Sequence, residues 1–203
     1  MKLLVATRSA GKEREIRHLL ESSGAEAVFP HDLGLLEEPA EQRLELGETF
    51  AQNARAKAEY FAKRSGLPTL ADDSGLEVFS LGGEPGVRSR RWANASGKET
   101  EVDAANNAYL LRRLAGAAEN RRRARYRCVL VYVPKVGAIP QTFEGSCTGR
   151  ILEAPQGDGG FGYDPLFFSD DLEKSFGAAT PEEKQGVSHR GRAFAAFIEG
   201  VLK

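Results

Sequence analysis

The chain has 203 residues, 41% of them hydrophobic and 28% charged, with a formal net charge of −1. That size and make-up suit one compact domain with an ordinary hydrated surface. No window approaches the roughly 20 apolar residues a membrane-spanning helix needs, and near-zero net charge argues against a broad nucleic-acid-binding face, which makes a domain basic. Residues 1–7 are too short and too soon polar for a secretory signal, so a cytoplasmic protein without membrane or nucleic-acid partners is expected. Cys128 and Cys147 each sit in a strand-like run. They read as core residues, since so cysteine-poor a chain is no disulfide framework and lacks zinc-site spacing.

In chain order, Lys2-Leu3-Leu4-Val5-Ala6 reads as a buried first strand. Residues 7–11 then turn into a helix with Ile16, Leu19 and Leu20 on one face, ending near Gly24. Residues 29–45, rich in proline, glycine and acids, show no period and are expected to be irregular. Thr49-Phe50-Ala51-Gln52 matches a capping box and opens a second helix that stops at Gly66. Glu48 then lies just outside the helix start, and Asn53 and Lys57 share a face. Short strands at 67–71 and 76–79 flank Asp72-Asp73-Ser74-Gly75, with a turn cluster at 82–86. A third helix is expected over 101–114 and strands at 126–133 and 142–152. Within the basic run 121–127, Arg123, Arg125 and Arg127 alternate, which predicts a half-exposed strand with its other face buried. A glycine-rich stretch at 157–162 follows, and a last helix starts near Ser188 with Phe194, Phe197, Ile198 and Val201 as its buried stripe. There is no internal repeat and no linker, so residues 1–203 are expected to form a single α/β domain around a long mixed sheet.

Five stretches could carry chemistry, each beside a plainer reading. Thr7-Arg8-Ser9-Ala10-Gly11-Lys12, between strand and helix, could offer helix N-terminal N–H groups and a lysine to phosphate. It is not a Walker A loop, and an ordinary strand-to-helix turn reads the same way. Asp72 and Asp73 supply oxygen ligands of the kind Mg²⁺ takes together with substrate phosphates, or form an acidic turn. Adjacent carboxylates point to opposite sides of a strand, so one of the two would face a given pocket. Glu48 is either a further Mg²⁺ ligand or a surface acid favoured by the helix dipole. Gly159-Gly160-Phe161-Gly162-Tyr163-Asp164 allows close backbone approach and offers a ring for a base to stack on, or is a loop over a core aromatic. Lys184 with Ser188-His189-Arg190 presents donors that match the O6 and N7 acceptors of a 6-oxopurine, or is a helix cap followed by solvated charges.

Taken together, these stretches resemble the inosine/xanthosine triphosphate pyrophosphatase family, also called Ham1. The matching segments are ATRSAGK, GETFAQNARAKA, ADDSGLEV, PGVRSRRWA, GGFGYDPLFF and VSHRGRA, in the family's order and over almost the whole chain. The resemblance implies a long mixed sheet with helices forming two lobes and a cleft between them, and a homodimer. It implies Mg²⁺-dependent conversion of inosine- and xanthosine-type triphosphates to monophosphate and pyrophosphate. It further implies that Thr7, Arg8, Ser9, Ala10, Gly11 and Lys12 hold the triphosphate and that Asp73 is catalytic base and metal-side carboxylate. By the same resemblance Glu48 falls at a metal-ligand position, and Ser74, Phe161, Gly162, Tyr163, Asp164, Lys184, His189 and Arg190 at substrate-contacting ones. Asn53, Lys57 and Asp72 are additional candidates. Two departures stand out: Ser9 replaces the usual asparagine of the first loop, and Arg88 and Trp92 stand where tyrosines are usual.

Overall fold

The computed structural model describes residues 1–203. Its strands are β1 (Lys2–Val5), β2 (Glu26–Val28), β3 (Thr69–Val78), β4 (Arg123–Val133), β5 (Gln141–Ile151), β6 (Phe167–Ser169) and β7 (Lys174–Ser175). They form one sheet in the order β2-β1-β3-β4-β5-β6-β7. β1 runs parallel to β2 and β3, whereas β6 is antiparallel to β5 and β7. The sheet is therefore mixed and the fold α/β. The helices are α1 (Ala10–Leu20), α2 (Phe50–Ser65), α3 (Glu99–Arg113), α4 (Pro181–Val187) and α5 (His189–Phe197), the last continuing as a π-helical turn, Ile198–Leu202. No helix is long and apolar enough to cross a membrane.

Two compact units emerge: Met1–Asp73 with Cys128–Gly145 and Gly191–Lys203, and Ser74–Arg127 with Ser146–Arg190. In the first, period-2 alternation sorts the strands' side chains onto two faces. Leu3, Val5, Leu70, Cys128 and Leu130 pack with Ile16, Leu19 and Leu20 of α1 and with Phe194 and Phe197 of α5. Leu4, Ala6, Ala71, Val131 and Val133 pack with Ala54, Ala58, Phe61 and Ala62 of α2. The alanines let α2 lie close, and its ends are the predicted ones: the Thr49–Gln52 capping box and Gly66 in the left-handed conformation. The second unit gathers Leu76, Val78, Trp92, Leu110, Tyr126, Cys147, Ile151, Tyr163, Phe167 and Phe176 into its own core. Trp92 is thus a core side chain, edge-on to Tyr109 at 4.7 Å.

The elements differ from the expected ones where tertiary contacts override local preference. Asp72-Asp73-Ser74-Gly75 is no turn; it is the middle of a single ten-residue strand, β3. Aspartate and glycine disfavour strands in general, but both carboxylates are buried and met by lysines. β2, β6 and β7 are two or three residues long, too short to show a period. The segment 29–45 carries two 3₁₀ turns, Pro30–Leu33 and Pro39–Arg43, each started by its proline. In the basic run, alternation holds: Arg123 pairs with Asp170 and Arg125 with Glu77, while the buried Arg122 donates to the carbonyls of Leu114, Ile151 and Leu152.

Candidate functional site

In the first unit the site grows from the alternation of β3. Leu70 faces α1, so Asp72, two residues on, faces α1 as well; Ala71 faces α2, and so does Asp73. Asp72 meets the ammonium of Lys12 from α1 at 3.0 Å. Asp73 accepts a hydrogen bond from Asn53 Nδ2 at 2.9 Å and lies 3.7 Å from Lys57 Nζ, both on α2. Asn53 and Lys57, four apart, thus work on one carboxylate, and both are buried. Asn53 Oδ1 also accepts from the N–H of Gly47 at 2.8 Å. A Cβ at residue 47 would collide with that amide, so glycine there lets the chain before α2 close onto Asn53.

That closure brings in an acid the motifs had not singled out. Glu45 Oε1 lies 2.7 Å from Lys57 Nζ. Glu48 is exposed at the helix start, with its N–H donated to Gln52. Glu45 is read only from the closure, because it precedes the helix that carries its partner by several residues of loop. Burial pushes the carboxyl of Asp73 above the ordinary range, with Lys57, Lys12 and the Asn53 bond opposing. Burial also works against the charge on Lys57, but Glu45, Asp73 and Asp72 outweigh it and hold the ammonium well above the usual lysine range. The result is a largely buried, oxygen-rich patch in which carboxylates outnumber the lysines among them.

The loop before α1 divides its labour. Ser9 is the N-cap, its Oγ accepting from the N–H of Lys12, and Thr7 Oγ1 accepts from the N–H of Ser9. The serine in place of asparagine therefore still caps the helix. The N–H groups of Ala10 and Gly11 begin the helix, where none has an intrahelical partner. Arg8 points elsewhere: its guanidinium grips Glu41 at 2.6 and 2.8 Å and the carbonyl of Leu35 at 3.1 Å. It ties the loop to segment 29–45 and lies at the surface.

In the second unit the polar groups converge on Phe161. Lys184, from the short α4 that the sequence had not suggested, is buried and ion-paired with Asp164. Asp164 Oδ2 also accepts from the N–H of Phe161 at 2.9 Å. Gly160 is at φ +73°, and a Cβ there would strike the Asp164 carboxylate, so glycine is required. Arg190, 1% exposed, donates from Nη2 to Ser74 Oγ at 2.8 Å. Lys184 Nζ lies 5.1 Å and the Arg190 guanidinium 5.6 Å from the Phe161 ring centre, both within cation–π range. His189 is buried face-on against Tyr126, ring centres 4.5 Å apart. Tyr163 belongs to the core, its hydroxyl donated to the carbonyl of Ser89 at 2.9 Å. Lys184, Arg190, Asp164 and Phe161 thus form one constellation, with His189 beside Arg190 in sequence and Tyr163 serving the packing beneath.

No group of three or more His, Cys, Asp or Glu side chains gathers as a ready-made metal cage. Carboxylate oxygens such as those of Asp73 and Glu45 fit the way Mg²⁺ is usually held, by one or two carboxylates with substrate phosphates and water completing the shell.

Comparison with known proteins gives the chain a family and a fold. A sequence profile of the Ham1 family matches residues 3–200. A dITP/XTP pyrophosphatase of Thermus thermophilus is 46% identical over 199 residues, 98% of this chain and 91% of that protein. One of Lactobacillus acidophilus is 43% identical over 204 residues, 98% of this chain and 96% of that protein. Among solved structures, a HAM1 protein from Coxiella burnetii superposes with a TM-score of 0.84 at 31% identity, covering 99% of this chain and 98% of that one. A nucleoside-triphosphatase / dITP/XTP pyrophosphatase from Mycobacterium abscessus gives 0.73 at 41% identity, covering 97% and 98%.

Proposed function

The chain belongs to the Ham1 family, and from that premise we propose that it is a pyrophosphatase cutting inosine- and xanthosine-type nucleoside triphosphates to monophosphate and pyrophosphate. The observation that carries the reading is the Asp73 carboxylate, buried, raised in pKa and set among Lys57, Asn53 and Glu45. A carboxylate so held, by the Asn53 amide and beside the Lys57 ammonium, has a fixed orientation from which to take a proton. Water attacks the α-phosphorus, the bond to the bridging oxygen breaks, and Asp73 takes the proton. Phosphoryl-type transfer needs positioning and charge neutralisation more than covalent help. The start of α1 and Lys12 receive the leaving pyrophosphate, and Lys57 steadies it from α2.

Asp73 with Glu45, or with the exposed Glu48, would hold Mg²⁺, which would supply charge neutralisation on the phosphates. Glu45 is favoured, because it already shares a lysine with Asp73. The base falls to Phe161, Lys184, His189 and Arg190. Donors suit the O6 acceptor of hypoxanthine and xanthine, while adenine sets an amino group against them and leaves buried groups without partners. Guanine keeps O6, so its rejection rests on its 2-amino group finding no acceptor or no room. The same reading carries a homodimer in the cytoplasm, checked by sedimentation and fractionation. The deciding experiment is product analysis with Mg²⁺ over ITP, dITP, XTP, GTP, ATP and dUTP. Pyrophosphate as first product, with ITP, dITP and XTP used well, GTP poorly and ATP worst, is expected. Orthophosphate with IDP as first product contradicts the mechanism, and preference for dUTP contradicts the substrate class.

A further inference from the structure

Phe161 is half-buried and stands outside the apolar core of its unit, so core packing does not fix its ring. Its backbone is fixed instead, from both sides. Its own N–H goes to Asp164 Oδ2 at 2.9 Å. The next residue, Gly162, is held at φ +64° by two side chains of α3. Gly162 N–H donates to Asp103 Oδ2 at 2.8 Å, and Asn107 Nδ2 donates to the Gly162 carbonyl at 2.8 Å. Asp103 and Asn107 are four apart and share a helix face. Asp103 is braced in turn by Arg90 Nη1 at 3.1 Å. Asn107 is oriented by that one bond: its Oδ1 is buried and makes no hydrogen bond, an arrangement that costs stability on its own account.

Deepening the functional reading above, and resting on it, we propose that Asp103 and Asn107 are positioning residues that clamp Gly162 and thereby hold the Phe161 ring as the platform for the purine base. They touch neither phosphates nor reacting atoms; they act through Phe161. Loosening the clamp lowers the population of loop conformations competent for the base, which lowers apparent affinity by that fraction. Phosphate binding and the chemical step lie with other residues and are untouched.

The test uses the intact enzyme with Asn107→Ala, Asp103→Ala, Phe161→Ala and the two double variants that combine Phe161→Ala with each of the others. KM and kcat for ITP are read together with competitive inhibition by inorganic tripolyphosphate, which has no base, and with melting temperature. Asn107→Ala removes one bond and also the oxygen that lacks a partner, so folding should survive it; Asp103→Ala removes the other bond and frees only the half-exposed Arg90. The expected result is a KM for ITP raised about tenfold, the scale of one lost hydrogen bond, with kcat within about twofold and tripolyphosphate inhibition unchanged. In the Phe161→Ala background neither substitution should raise KM further, since residues acting through one another are not additive. Equal increases with and without Phe161, or tripolyphosphate inhibition weakening in parallel, would overturn the clamp. A wild-type enzyme that turns over no ITP would instead overturn the functional reading on which the clamp stands.

Discussion

The polar clusters of the two units are built on different plans. In the first, charge meets charge: Asp72 with Lys12, Asp73 with Lys57, Lys57 with Glu45, all from a strand, two helices and the chain closing before one of them. In the second, cations meet a ring and a loop whose amides are tied down: Lys184 and Arg190 beside Phe161, with Asp164 on the Phe161 N–H. Paired charges, most of them buried and on a strand or helix, keep a fixed field for a reaction that moves negative charge. A ring with donors around it measures shape and hydrogen bonding. Substitutions in the first unit should therefore change how fast any nucleotide is cut, and those in the second should change which nucleotide is cut.

The largest effect should come from Asp73→Asn. It keeps the Asn53 contact in outline but loses charge and basicity, and kcat for ITP should fall by about 10³-fold or more, with the circular dichroism spectrum unchanged. Wild-type kcat in that variant would pass the role to Asp72. Arg190→Ala should follow, lowering kcat/KM for ITP by about 10²-fold relative to its effect on ATP. Equal losses on both would make Arg190 a support of the fold through its bond to Ser74, and the division of labour would blur. Within the first unit, Glu45→Gln should raise the Mg²⁺ needed for half-maximal rate by about tenfold, and Glu48→Gln should leave it nearly alone. The reverse order would return the ligand position to the exposed acid at the helix start.

How much of this was legible in the residues follows the same division. α2 could be read end to end, because a capping box, an alanine face and a terminal glycine are local signals, and Asn53 and Lys57 came with it. Thr7 to Lys12 could be read as a strand-to-helix loop for the same reason, although the departure of Arg8 toward Glu41 depends on a partner 33 residues away. β3 could not, because its acidic middle is stabilised by lysines from helices distant in sequence. Glu45 escaped notice because the loop that carries it has no period and is placed by the Gly47–Asn53 bond. The aromatic loop announced itself through its glycines, while α4 and the grip of α3 on Gly162 had no local signature.

The smallest effect tests the plainest part of the account, the basic run as structure. Asp170 lies at the surface and is held below the ordinary carboxyl range by its hydrogen bonds to Arg123. A depressed folded-state pKa gives stability that is present above the unfolded value and lost as pH falls through the folded one. Asp170→Asn should thus cost about 0.5 kcal/mol near neutrality and nothing at acid pH, by chemical denaturation at both. A change in ITP turnover instead would connect the basic run with the substrate.

The central claim, that water attacks the α-phosphorus, is tested most directly by turnover of ITP in ¹⁸O-labelled water, followed by mass analysis of both products. One ¹⁸O in the phosphate of IMP and none in pyrophosphate is the predicted result. Label in the pyrophosphate, or in free orthophosphate, would place the attack on another phosphorus and contradict it.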